Sequence, residues 1–106
     1  MSPNDDQGRL DKMPTLRIEH AVPSFDLWKQ AFDNDPADRK GSGVSCYRIS
    51  QAIDDPNYVT IDLDFDNVAD ARKLLEFMEQ MWAGPAKAFM VDPGAHIVET
   101  VEVVKL

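Results

Sequence analysis

Residues 16–32, LRIEHAVPSFDLWKQAF, switch hydrophobic period from two to about 3.6 within a few positions. Leu16 and Ile18 alternate with Arg17 and Glu19, the pattern of a strand with one apolar face and one polar face. Pro23 fixes its own φ and pushes Val22 toward extended geometry, which ends the strand. Ser24 is placed to cap a helix, and Asp26 puts a negative charge in its first turn, at the positive end of the helix dipole. Phe25, Trp28 and Phe32 then recur at i, i+3 and i+7, with Leu27 and Ala31 beside them, so this helix buries one stripe. Asn34-Asp35-Pro36 stops it. A strand that feeds straight into an amphipathic helix demands a sheet for that helix to lie on.

The remainder of the chain supplies the sheet. Val44 to Ser50 reads as a strand with Tyr47 and Ile49 on one side and Cys46 and Arg48 on the other. Asp54-Asp55-Pro56-Asn57 is turn chemistry, and Tyr58 to Phe65 alternates cleanly. In that third strand Val59, Ile61, Leu63 and Phe65 oppose Tyr58, Thr60, Asp62 and Asp64, which makes an antiparallel hairpin. Asn67 caps a second helix, with Asp70 as its capping-box partner. Ala71, Leu74, Leu75, Met78, Met81 and Trp82 keep helical spacing until Gly84-Pro85, and Pro85 can open a short further helix through Met90. Asp92-Pro93-Gly94 turns the chain into a last strand over His96 to Val104.

The order β-α-β-β-α-β predicts a ferredoxin-like α+β domain: a four-stranded antiparallel sheet with both helices on one face. The covered face is expected to carry Leu16, Ile18, Tyr47, Ile49, Val59, Ile61 and Leu63; the helix-free face, Arg17, Glu19, Arg48, Thr60, Asp62 and Asp64. Residues 1–13 are polar and read as a flexible tail, leaving 14–106 as the single domain.

Composition narrows the partners. The chain is 43% hydrophobic and 28% charged with a net charge of −8, and no Lys/Arg cluster offsets that charge locally. Nucleic acid and anionic membrane surfaces are therefore not expected partners. The lone Cys46 cannot form an internal disulfide, and no signal-peptide core or long apolar run is present, so the cytoplasm is the expected compartment. Gly41-Ser42-Gly43 lacks the Lys-Ser/Thr of a phosphate loop and leads into a strand. His20 and His96 have no metal-ligand spacing, and no dinucleotide fingerprint, nucleophile elbow or haem motif occurs; neither metal nor cofactor is expected.

The candidate site residues are few. His20 shares the parity of Leu16 and Ile18 and titrates near neutral pH, so it reads either as a catalytic base or proton donor or as a histidine bonded to backbone at the strand exit. Asp62 and Asp64 share one face with Arg17, Glu19 and Arg48; paired carboxylates can divide acid and base roles, or the group can be a cross-strand ion-pair network. Trp28, Trp82, Met78 and Met81 read as core at helical spacing, and Cys46 as a small buried hydrophobe. A four-stranded sheet with helices on one side leaves the other side bare, which predicts a C₂ homodimer.

The segments His20-Ala-Val, Phe25-Asp26-Leu27-Trp28-Lys29 and Phe32-Asp33, the hairpin Tyr47-Arg48-Ile49 to Tyr58-Val59, and Ile97-Val98-Glu99-Thr100-Val101 together resemble the dimeric α+β barrel superfamily over residues 14–104. That superfamily includes antibiotic-biosynthesis monooxygenase-like and "cyclase"-like small proteins. The resemblance implies two sheets packed face to face around a central barrel. It implies a cofactor-independent monooxygenase- or cyclase-like enzyme for a small organic molecule, or a non-catalytic metabolite-binding or accessory homodimer; the fold alone does not choose. A ligand is expected among Arg17, Glu19, Arg48, Asp62 and Asp64, with His20 and Trp82 near the mouth, on a face more charged than an apolar polyketide would favour.

Overall fold

The computed structural model describes residues 13–35, 37–84 and 91–106. Along the chain these form β1 (Pro14–Ala21), α1 (Phe25–Asp33), β2 (Val44–Ala52), β3 (Asp55–Phe65), α2 (Val68–Ala83) and β4 (Val91–Glu99). The strands make one antiparallel sheet in the order β2-β3-β1-β4, the ferredoxin-like α+β arrangement expected from the sequence. Among the described residues no helix is long and apolar enough to cross a membrane.

Local chemistry sets the element ends. Ser24 adopts extended backbone and its hydroxyl accepts the Leu27 N–H at 3.4 Å, while the Phe25 N–H donates to the Asn57 side chain at 3.2 Å. Asn67 repeats the device at α2, accepting the Asp70 N–H at 2.8 Å. On β1, burial alternates from Pro14 through His20, as a one-sided strand requires. Leu16 and Ile18 pack with Val59, Ile61, Leu63 and Phe65 of β3, and Trp28 of α1 with Ala71 and Leu74 of α2 complete the core. Each large side chain buried this way contributes about 1.5–3 kcal/mol against the unfolded chain.

The structure moves three boundaries. The β2–β3 turn is Ile53-Asp54, and Asp55 already pairs with Ala52 before β3 bulges outward to resume pairing at Val59↔Gln51. Asp92-Pro93-Gly94 is not a turn before the last strand; it lies inside β4, opposite the register shift between Glu19 and Ala21. Proline is tolerated there because β4 is an edge strand and one side of it donates no ladder bond. The strand ends at Glu99, not Val104, because its partner β1 begins at Pro14, paired with Glu99. Cys46 is exposed rather than buried: it sits on the edge strand β2, on the helix-free face. The further helix expected over 85–90 lies outside the described residues, as do residues 1–12 of the tail expected over 1–13; Met13, its last residue, is half-buried.

Candidate functional site: an apolar cavity and a charged face

The two faces of the sheet offer different chemistry. On the helix-free face, antiparallel register sets Arg17 and Arg48 on either side of Asp62. Arg17 donates to both Asp62 oxygens at 2.9 and 3.2 Å, and Arg48 donates to one at 3.4 Å. Asp62 is nearly buried, and these two guanidinium groups, Arg17 foremost, hold its carboxyl below the usual carboxylate range. Thr15 donates to Asp64 at 2.7 Å. Thr15, Arg17, Arg48, Asp62 and Asp64 line one open cleft of about 230 Å³, with Val103 at its side. Glu19 turns away from it to accept the Tyr58 hydroxyl at 3.2 Å. Within a single copy Arg17 and Arg48 are largely open to water, so Asp62→Asn is expected to cost only about 1 kcal/mol in urea unfolding of dilute, monomeric protein. A loss of several kcal/mol would mean that the face is covered in solution.

His20 and Trp82 belong to the other face. His20 is 1% exposed and lies on the helix-covered side of β1, its Nδ1 3.1 Å from the Ala21 carbonyl and its ring edge-on to Trp28 at 5.7 Å. That distance makes Nδ1 the protonated nitrogen, by assignment from the hydrogen bond. Nε2 is buried with no partner among the described residues. Burial therefore pushes the imidazole below its ordinary titration range.

Between α1, α2 and the sheet lies a cavity of about 90 Å³, lined by Ile18, Trp28, Ala31, Phe32, Ala37, Arg39, Ile61, Met78, Met81 and Trp82. The residues read from sequence as helix core are its walls. Trp28 and Phe32 stack at 5.2 Å along α1, and Met78, Met81 and Trp82 face them from α2. Arg39 went unnoticed in sequence because it falls in the polar stretch after α1, with no pattern to place it. In the structure Asp35 and Asp38 take left-handed backbone, with φ of 54° and 48°, which folds that stretch back over the helix. Arg39 then lies over the Phe32 ring at 3.9 Å and the Tyr47 ring at 5.0 Å. It is the sole ionisable residue among the described cavity walls.

No family model matches the sequence, and no curated protein matches it. Solved structures do share its fold. A variant of SnoaB, a cofactor-independent oxygenase from Streptomyces nogalater, superposes with a TM-score of 0.70 at 12% identity, covering 88% of this chain and 97% of that one. A candidate antibiotic biosynthesis monooxygenase from Nitrosomonas europaea gives 0.67 at 16% identity over 86% and 92% of the two chains. A dimeric ferredoxin-like protein from an uncultured marine organism gives 0.64 at 10% identity over 95% and 98%. The chain thus has the fold of the antibiotic-biosynthesis-monooxygenase-like, ferredoxin-like proteins that its sequence resembles.

Proposed function

We propose that this chain is a cytoplasmic homodimer of the monooxygenase- or cyclase-like kind, holding a small aromatic organic molecule in the cavity between its helices and its sheet. The observation that carries this reading is the cavity itself. Aromatic and methionine walls favour an apolar ring, and Met78 and Met81 can shift rotamers to fit one. Its volume is below the roughly 150 Å³ that accepts benzene in a rigid apolar site, so a single ring is the upper limit and enters only with Met78 or Met81 displaced or with one edge left projecting into solvent. The likeness in fold to a cofactor-independent oxygenase supports a reaction run without a bound cofactor. A proton-accepting role for His20 belongs to the same reading only through a bridging water or a movement of Trp28, since that ring stands between its Nε2 and the cavity.

Single-ring phenols and benzoates should raise the melting temperature and quench the fluorescence of Trp28 and Trp82, as ligands of the folded state do. Trp82→Ala should remove both effects. If no such compound shifts either signal at millimolar concentration, the reading fails.

The same proposal assigns the bare sheet face to a second copy, which would enclose Arg17, Arg48, Asp62 and Asp64 in an interface exceeding roughly 1,000 Å². A monomer mass by light scattering at micromolar concentration would refute it. The alternative, a polar metabolite bound on that charged face, rests on the Arg17–Asp62–Arg48 cluster. Arg17→Met and Asp62→Asn separate the two: a structural cluster loses melting temperature and keeps ligand binding, whereas a site loses binding and stays dimeric.

A further inference from the structure

Arg39 is built into the cavity wall more firmly than a surface arginine needs to be. Its side chain is 13% exposed. One Nη1 hydrogen bond reaches the Phe32 carbonyl at 2.7 Å, and Nε lies 3.4 Å from an Asp35 oxygen that also accepts the Arg39 backbone N–H at 2.9 Å. The guanidinium lies against both Phe32 and Tyr47, with Cζ 3.9 and 5.0 Å from their ring centres, in the corner that the two rings make at 66°. Two of the five guanidinium N–H donors are occupied by these contacts; the other three meet no acceptor among the described residues. Asp35 pairs with the Nε edge and the backbone N–H of Arg39, is the one carboxylate among the described residues that does so, and is not part of the cavity lining.

We infer that Arg39 selects the ligand: resting on the cavity reading above, the site takes an aromatic molecule that carries an anionic oxygen, a carboxylate or phenolate, directed at the free donors of Arg39. The chemistry is that of a pre-oriented fork. The two aromatic contacts and the Asp35 and Phe32 carbonyl contacts have already fixed the rotamer, so little side-chain freedom is left to lose when an oxygen anion arrives. Within an apolar cavity a charge-assisted bond of this kind is about twice as strong as a neutral one. Lysine would offer a charge without the planar fork and without the stacking.

Benzoate and benzamide test this, being nearly the same shape and differing in charge. For the wild-type protein, benzoate should bind at least about tenfold more tightly than benzamide, read by tryptophan fluorescence titration at one pH and ionic strength. Arg39→Met should abolish that preference and leave benzamide within about twofold of wild type, which also shows that the cavity is intact. Equal wild-type affinities, or an Arg39→Met variant that keeps the preference or loses both compounds, would overturn the inference while leaving the cavity a binding site. Binding of neither compound to wild type would instead overturn the cavity reading. Should Arg39→Met fail to fold, the wild-type Arg39 Nε–H resonance decides: it must shift with benzoate and not with benzamide.

Discussion

Trp28→Ala should lower the unfolding free energy by about 3–5 kcal/mol, a large share of the roughly 5–15 kcal/mol that an ordinary domain has in total. Trp28 is 4% exposed and is the one fully buried residue of α1. Its indole touches Phe25 at 5.8 Å, Phe32 at 5.2 Å and His20 at 5.7 Å, so removing it strands three rings at once. It is also a wall of the cavity, so the hole it leaves merges with space that is already empty, and collapse of the helix onto the sheet can refill only part of it. Trp28→Phe keeps the stack and should cost far less, about 1–2 kcal/mol. Urea unfolding of both variants is the measurement; a cost below about 1 kcal/mol for Trp28→Ala would show that α1 is not docked on the sheet by this residue.

The second large effect is a loss of stability on mild acidification, traceable to His20. Its folded-state titration is depressed from 6.5 by burial, so below about pH 6.5 the unfolded chain takes up a proton that the native imidazole refuses. Stability therefore falls as pH falls from 6.5 toward the folded-state value, by at most about 1.4 kcal/mol per unit of pH. Asp62 acts in a separate window: its carboxyl is depressed from 3.8, so its contribution is intact above that value and disappears only in stronger acid. His20→Leu should flatten the upper window and leave the lower one untouched. Urea midpoints from pH 4.5 to 7.5 that keep the same slope in His20→Leu would show that other groups carry it.

How much of this was readable in the chain depends on what kind of signal each part leaves. The strands β1 and β3 are legible because a sheet covered on one side writes its burial as alternation, seen in Leu16/Ile18 and Val59/Ile61/Leu63. The caps Ser24 and Asn67 are legible because capping is local. The start of β4 is not: Asp92-Pro93-Gly94 has turn composition, and only its position opposite the irregularity in β1 makes it strand. The cluster of Arg17, Arg48 and Asp62 followed from strand parity and register. The cavity did not, because a helix stripe that packs solidly and one that leaves a gap are written with the same residues, here Trp28, Phe32, Met78, Met81 and Trp82. Arg39 is hardest of all, since left-handed turns at Asp35 and Asp38 rather than any period bring it home.

The central seat of β1 also governs the order in which this molecule can assemble. The hairpin β2–β3 closes on a two-residue turn and can form by itself, but β1 has to reach across to β3 on one flank and wait for β4 on the other. During synthesis β1 leaves the ribosome first and gains its second neighbour last, so Leu16 and Ile18 stay without a complete shelter while α1, the hairpin and α2 emerge. Refolding followed by pulsed amide exchange should accordingly protect β2–β3 before β1–β4, and protection appearing first in β1–β4 would reverse that order. For a chain so short, the slowest step is then the meeting of its two ends.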